Sequence, residues 1–256
     1  GLGDVYKRQV LKVNNVQKVY GDNNPDFSYT LDGLRNDDTN SCILTQPTYV
    51  CKALQTSNCG EYDITASNAS ARNYDITYQI GKLTITKAPL ALIASDTSRE
   101  YGEPNPILKY TASGLKGDDT VLSALIEDPI VSTTAIESSN TGEYTILISG
   151  GASNNYSLSY RSGILTVTKA PLTVLAENTE RQYGESNPTF SRSYSGFKLD
   201  DTESSAFSSL PRLSCYATKT SSVGEYPIVV NGGTSRNYDI VSYENGVLNI
   251  TKAPLT

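Results

Sequence analysis

Histidine, methionine and tryptophan are all absent from this sequence of 256 residues. Because histidine is the commonest general acid or base and a common metal ligand, its absence argues against an enzyme and against a metal site. No stretch approaches the roughly 20 apolar residues that a membrane span requires. The formal net charge of −6 argues against neutralising the phosphates of a nucleic acid. We therefore expect no catalytic, cofactor-binding or metal-binding residues, no cofactor, no nucleic-acid partner and no membrane span in this sequence.

Cysteine is scarce and unevenly distributed, with four residues at Cys42, Cys51, Cys59 and Cys215. A disulfide that defined the fold would be expected in every repeat of the sequence, but the middle third contains no cysteine. The three cysteines of the first third permit one internal bridge in an oxidising compartment, without indicating which pair forms it. No two cysteines have the C-x-x-C spacing, which argues against a zinc site and a thioredoxin-like site.

A threefold internal repeat is present instead. The segment Thr-Lys-Ala-Pro-Leu occurs at Thr86–Leu90, Thr168–Leu172 and Thr251–Leu255. The motifs Tyr-Gly and Gly-Glu-Tyr recur with the same period of about 82 residues, which is long enough for each unit to close its own core. We therefore predict three modules, at residues 10–87, 88–169 and 170–252. Residues 253–256 are expected to start a further module of a longer array. Residues 1–9 match nothing in the repeats and are expected to be a non-native scar.

Each module is predicted to contain about six short strands and one short helix, which makes the protein mostly β. In the first module, Val10–Val13 and Val16–Tyr20 are predicted to form one continuous strand. In the second, Thr120–Ile126 has apolar residues at helical spacing. The third module has one extra residue between Tyr238 and Tyr243, which predicts a bulge or a longer loop.

These strands and the helix predict a core that is β-grasp-like or sandwich-like. The abundant tyrosines suit half-buried strand positions, with the ring packed and the hydroxyl in water.

An acidic pair recurs in all three modules, at Asp37-Asp38, Asp118-Asp119 and Asp200-Asp201. An aspartate ahead of a short helix can accept hydrogen bonds from its first backbone N–H groups, so helix capping is the first interpretation. Calcium binding is the alternative, although the ion needs about six to eight oxygen ligands and no matching spacing surrounds the pairs.

A second recurring set is Glu61, Asn73 and Lys87 with their equivalents, the residue types that an intramolecular isopeptide bond requires. That reaction needs a desolvated, neutral lysine. The position of Lys87 beside proline, at what reads as an exposed junction, argues against it.

Taken together, the motifs Tyr-Gly-x-x-Asn-Pro, Gly-[Leu/Phe]-x-x-Asp-Asp-Thr, Gly-Glu-Tyr-x-Ile and Thr-Lys-Ala-Pro-Leu resemble the MBG domain of the YGX type. The resemblance covers residues 10–256. It implies β-grasp-like (α+β) modules in a tandem, non-enzymatic, extracellular or cell-surface array, of the kind found in bacterial adhesin-like proteins. It supplies no catalytic residues. The first module departs from the pattern, with Asn68-Ala69 where the others have Gly150-Gly151 and Gly232-Gly233.

Two functions are consistent with these expectations. The first is a stalk or spacer whose partners are the neighbouring modules of the same longer chain. Modules of this size have a radius of gyration of roughly 12 Å, so three in line would span on the order of 100 Å. The short Lys-Ala-Pro connections favour a stiff rod, because proline restricts its own φ and the residue before it. The alternative is recognition of host or matrix glycans by the repeated loops.

Overall fold

The computed structural model describes residues 9–254, and these form mainly β-strands. Of the predicted scar at residues 1–9, only Gln9 is described, as the first residue of a strand; residues 1–8 lie outside the described part, as do residues 255 and 256. Neither α-helix within the described range is long and apolar enough to cross a membrane.

The chain divides into two compact units. One contains the described residues up to Ile93 together with Tyr110–Ile130 and Ile148–Arg161, and the other contains Ala94–Lys109, Val131–Leu147 and the residues from Ser162 onwards. Each unit therefore contains one complete predicted module and part of the second module.

The first module has nine strands and a 3-10 helix at Asn40–Cys42. Its strands are β1 (Gln9–Val13), β2 (Val16–Val19), β3 (Tyr29–Asp32), β4 (Ile43–Thr45), β5 (Thr48–Cys51), β6 (Gly60–Ser67), β7 (Ser70–Ala71), β8 (Ile76–Gln79) and β9 (Gly81–Thr86). They form a three-stranded sheet of order β3-β1-β8, a four-stranded sheet of order β2-β9-β6-β5, and the ribbon β4-β7.

The second module has seven strands and the helix α1 (Val121–Ala124). Its strands are β10 (Ala88–Ala94), β11 (Thr97–Glu100), β12 (Tyr110–Ser113), β13 (Ile130–Thr133), β14 (Gly142–Ser149), β15 (Tyr156–Arg161) and β16 (Gly163–Thr168). The sheet of order β12-β10-β15 lies mainly in the first unit and the sheet of order β11-β16-β14-β13 mainly in the second.

The third module has nine strands and the helix α2 (Glu203–Ala206). Its strands are β17 (Ala170–Ala176), β18 (Thr179–Gln182), β19 (Arg192–Ser195), β20 (Phe207–Ser209), β21 (Arg212–Ser214), β22 (Gly224–Asn231), β23 (Thr234–Ser235), β24 (Tyr238–Glu244) and β25 (Gly246–Thr251). The sheet orders are β19-β17-β24, β18-β25-β22-β21 and β20-β23.

The core of the third module lies between its two larger sheets. Val174 on β17 packs in one buried cluster with Ile228 on β22 and with Leu248 and Ile250 on β25. Buried residues alternate with more exposed ones along these strands, as the two-residue period of a strand with one covered face requires. This module is therefore built as one sheet packed on another.

The mostly-β, threefold modular organisation predicted from the sequence is confirmed, but the β-grasp-like arrangement is not. Each α-helix is a single turn of four residues. The estimate of six strands was too low, partly because the predicted continuous strand from Val10 to Tyr20 is two strands. The chain leaves the three-stranded sheet after Val13 and enters the four-stranded sheet at Val16. An alternating pattern continues across such a change of sheet because both strands cover the same core.

Two local expectations met different outcomes. The extra residue in the third module is a bulge, as predicted: Leu172 pairs with Ile240 and Thr173 pairs with Ser242, so Val241 has no partner on β17. The predicted helix Thr120–Ile126 is shorter than expected, because helical structure ends at Ala124 and Leu125 is already extended. In the first module Asn68, with φ of 63°, takes the left-handed conformation that Gly150 has with φ of 71°.

A buried cation at the end of the second strand of each module shows a difference between the modules. In the third module, Arg181 donates from Nε to Asn187 Oδ1 over 2.8 Å. In the first module the equivalent cation is Lys18, whose ammonium donates instead to two backbone carbonyls. Asn24 Oδ1, the equivalent of the Asn187 oxygen, is consequently buried without a hydrogen-bond partner among the described residues. Lysine lacks the planar set of donors that lets arginine reach all these acceptors at once.

Replacing Lys18 by arginine should therefore stabilise the first module. A guanidinium can bond Asn24 Oδ1 as well as the carbonyls, and pairing a buried orphan acceptor is worth about 1 kcal/mol. We expect an upward shift of the melting transition in calorimetry. The matched control is Arg181→Lys, which should lower the stability of the third module by a similar amount. A shift of both variants in the same direction would contradict this explanation.

Candidate functional site

A repeated polar arrangement lies where one described module meets the next, and we call each such place a junction. Only Lys87 separates β9 from β10, and only Lys169 separates β16 from β17. Both lysines are anchored, since Lys87 Nζ donates to the carbonyl of Ser153 over 2.8 Å and Lys169 Nζ to that of Ser235 over 2.9 Å. The connection therefore has no flexible linker. Pro89 is accommodated inside strand β10 at an exposed position.

A carboxylate shared by two tyrosines forms the centre of the first junction. The hydroxyl of Tyr20, from the first module, donates to Asp119 Oδ2 over 3.0 Å. The hydroxyl of Tyr156, from the second module, donates to the same oxygen over 2.5 Å. The two rings meet edge to face, with centroids 5.4 Å apart and planes at 75°. Tyr20 is only 6% exposed, so this arrangement is shielded from water.

The second junction repeats the same geometry with different residues. Tyr101 donates to Asp201 Oδ2 over 3.0 Å, and Tyr238 donates to that oxygen over 2.7 Å. Their rings also meet edge to face, with centroids 5.6 Å apart at 78°. Tyr101 and Tyr238 belong to one buried cluster with Val167 and Leu172, which adds apolar contact around the polar pair.

A side-chain amide of the later module adds a second set of hydrogen bonds to each junction. Asn155 accepts from the backbone N–H of Cys59 over 2.9 Å and donates from Nδ2 to Asn58 Oδ1 over 2.8 Å. In the second junction, Asn237 makes the equivalent bonds to Thr141 and Asn140, at 3.1 and 2.8 Å. Because the donor at position 59 or 141 is backbone N–H, cysteine and threonine serve equally.

An ion pair and a close glycine contact complete each junction. Lys116 Nζ lies 3.1 Å from Asp22 Oδ1, and Lys198 pairs with Glu103. The aliphatic part of Lys116 passes over Gly21, where an added Cβ would lie 2.5 Å from Lys116 Cβ. Gly21 also has φ of 82°, which favours glycine. The motif Tyr-Gly therefore places a buried tyrosine beside a residue that leaves room for the neighbouring module.

The junction tyrosines resist ionisation. Burial, followed by the nearby carboxylate of Asp119, raises the pKa of Tyr156 to about 12. The same two causes raise the pKa of Tyr20, while burial and Asp201 raise that of Tyr101. Burial is also the main reason why the pKa of Tyr238 is raised. The protonated hydroxyl is the form that can donate to a carboxylate, so the arrangement requires neutral tyrosines.

The interpretation of the acidic pairs as helix caps was wrong. The capping positions are held by the threonine that follows each pair, and Thr120 Oγ1 accepts from the N–H of Ser123 over 3.2 Å. The second aspartate of the pair is therefore available to the tyrosines, as Asp119 is. Within residues 9–254, no three acidic or cysteine side chains are grouped closely enough to hold a metal ion.

The expectation that tyrosine hydroxyls would face water was also wrong at the junctions, where they donate to half-buried carboxylates. The recurrence of Tyr-Gly in one module and Asn-Tyr in the next was the available signal, but spacing alone does not show that the two motifs meet.

The candidates for covalent cross-linking have other roles in the structure. Lys87 and Lys169 donate to backbone carbonyls, and Asn155 belongs to the hydrogen bonds of the first junction. All four cysteines are free, so the internal bridge that the sequence permitted in the first module is not formed. A cleft of about 640 Å³ opens beside the second junction, between the loop Ala135–Ser138 and residues Leu199 and Asp200.

Comparison with known proteins identifies the repeat. The family model for the MBG domain (YGX type) matches the chain three times, at residues 10–84, 90–166 and 172–249. No curated protein matches the sequence.

Solved structures give weak likenesses only. The I9-I11 tandem of titin has 9% identity and a TM-score of 0.25, covering 96% of this chain and 100% of its own. Three domains of the outer capsid protein Hoc of bacteriophage RB49 have 11% identity and a TM-score of 0.28, covering 96% and 99%. Drosophila N-cadherin EC1-3 has 9% identity and a TM-score of 0.26, covering 95% and 99%. Likenesses of this strength assign neither a fold nor a function.

The glycine of each Tyr-Gly motif allows a matched test of the junction. Gly21→Ala introduces a Cβ against Lys116, whereas Gly184→Ala, at a φ of 89°, meets nothing within 4 Å. Both changes carry the cost of a left-handed alanine, about 1 kcal/mol. Gly21→Ala should cost about 1–3 kcal/mol more because of overpacking. Calorimetry of thermal unfolding measures the loss of stability in each variant. Equal losses in the two variants would contradict the close contact.

Alkaline pH should weaken the first junction in a defined window. Since the folded pKa of Tyr156 is raised to about 12 from the ordinary value of 10.0, its contribution is complete below pH 10 and is lost as the pH rises through about 12. Absorbance of tyrosinate, compared between the native chain and Tyr156→Phe, isolates this group. Ionisation of Tyr156 near pH 10 in the folded chain would rule out the buried bond to Asp119.

Proposed function

Because this chain belongs to the MBG domain family of the YGX type, with three modules in tandem, we propose that it is a non-enzymatic spacer. In this proposal it acts as the stalk of an extracellular, adhesin-like protein of a bacterial surface. The observation that carries the proposal is the repeated junction: the same buried contact joins module one to module two and module two to module three. A spacer needs connections that hold a direction, and a repeated, bonded junction supplies that property.

Three features of the junction favour stiffness over flexible tethering. The connection is a single lysine whose ammonium is anchored to the following module. The shared carboxylate is shielded, which strengthens its hydrogen bonds compared with the same bonds in water. The amides of Asn155 and Asn237 bond at both of their ends, which resists rotation about the connection.

The chemistry of the junctions does not favour an active site. The sequence has no histidine, and the most strongly shifted junction groups are tyrosines whose raised pKa keeps them neutral. A catalytic base is instead tuned towards the working pH. We therefore retain the absence of enzymatic activity as part of the proposal.

Glycan recognition remains the rival. Tyr160, which is 44% exposed, offers part of its ring to solvent, while its hydroxyl donates to the carbonyl of Gly150. Tyr243 has the same exposed ring and donates to Gly232 in the third module. Specific binding of a defined glycan on an array, abolished by Tyr160→Ala, would favour this rival over a pure spacer.

Small-angle scattering of paired variants tests the spacer. We expect the native chain to scatter as an extended, stiff particle, and the double variant Asp119→Ala with Asp201→Ala to become flexible, because each junction loses its shared carboxylate. The matched control is Asp118→Ala with Asp200→Ala, which removes the exposed neighbours of the same acidic pairs. The control should scatter like the native chain.

A compact native particle, or a native chain as flexible as the double variant, would contradict the proposal. If the control loosened the chain as much as the double variant, loss of charge rather than loss of the tyrosine bonds would be responsible.

A further inference from the structure

The third module presents one half of a junction without its other half. Tyr183 is the equivalent of Tyr20 and Tyr101, which are 6% and 5% exposed, but Tyr183 is 48% exposed. An added Cβ at Gly184 meets nothing within 4 Å, whereas the equivalent Gly21 lies against Lys116. The difference between these positions is therefore in their surroundings and not in their residue types.

The remaining parts of this half-junction are also in place. Glu185 stands at the position of Asp22 and Glu103, the two carboxylates that pair with a lysine of the next module. Its Oε2 accepts from the backbone N–H of Gln182, and among the described residues Oε1 has no hydrogen-bond partner, so that it can accept from an ammonium. Val223, at the position of Thr141, is 48% exposed. Its backbone N–H is the equivalent of the donor that Asn237 engages in the second junction.

We infer that the surface formed by Tyr183, Gly184, Glu185 and Val223 is a docking site for a further YGX-type module, joined directly after Lys252. The chemistry required of that module can be read from the two junctions already described. It must supply an aspartate beside a buried tyrosine, an amide before that tyrosine, and a lysine for the carboxylate of Glu185. Both the second and the third modules carry this set, so the partner is a module of the same family.

The described residues of the first module also form the complementary half of a junction. The hydroxyl of Tyr74 donates to Asp38 Oδ2 over 2.6 Å, as Tyr156 does to Asp119, and Arg35 replaces the lysine. The backbone N–H of Arg35 in turn donates to the Tyr74 hydroxyl over 3.2 Å. An incoming tyrosine therefore meets an acceptor that is already oriented, which limits the cost of docking.

Extending the chain tests this inference, which rests on the module contact of the proposed spacer and not on its location. A second copy of residues 88–169 is fused directly after Lys252, so that Ala88 takes its usual place after a lysine. The ionisation of Tyr183 is obtained from tyrosinate absorbance as the difference between each chain and its Tyr183→Phe variant. Docking should make Tyr183 harder to ionise in the extended chain than in the 256-residue chain, because its hydroxyl would then be buried beside a carboxylate.

Two variants of the extended chain decide whether the shift comes from this contact. Gly184→Ala should abolish the shift, because its Cβ would then meet the lysine of the added module. Asp119→Ala, introduced in the added copy only, should reduce the shift by removing the acceptor. The inference is overturned if Tyr183 ionises alike in both chains, or if the shift survives both substitutions.

A further measurement identifies the occupant. The 256-residue chain alone, titrated at increasing concentration, should show no change, since the occupant is a covalently joined module. A shift that grows with concentration would mean that a second copy covers Tyr183, which would overturn the assignment. If the added module does not dock, only the ionisation of Tyr183 reveals it. If the spacer proposal is wrong, the small-angle scattering of the native chain reveals it.

Discussion

A carboxylate that accepts hydrogen bonds from two buried tyrosines, one from each of two modules, is the interaction on which both described junctions depend. Each tyrosine hydroxyl has few alternatives once its ring is buried, so losing the carboxylate would leave two buried donors unpaired. Asp119 and Asp201 therefore couple the packing of one module to that of the next. A junction of this kind is satisfied only when both modules are folded and correctly oriented.

The surrounding contacts explain why the junction tolerates sequence change. Asp22 and Glu103 both reach the lysine of the next module, since an exposed ion pair accepts either chain length. Cys59 and Thr141 both present a backbone N–H to an asparagine. The tyrosine, the glycine beside it and the second aspartate have atoms inside the contact, and each of them is the same residue type in both junctions.

Much of the architecture was accessible from the sequence because it is recorded locally. Alternation of apolar residues marks strands, and the period of the repeat marks modules. The bulge at Val241 was predicted from a change in the spacing of two tyrosines. The change of sheet between Val13 and Val16 was not accessible, since the alternation on either side of it looks continuous.

The sequence by itself determined the family, the three modules and the motifs that recur in them, because these follow from residue type and spacing. Only the tertiary structure decided that Tyr20 meets Asp119, a residue 99 positions away in the next module. It likewise decided that threonine, not aspartate, occupies the capping position of each short helix. The physical reason is that an aspartate can satisfy a backbone N–H or a distant hydroxyl equally well. The choice between them depends on which donor the folded chain brings within hydrogen-bond distance.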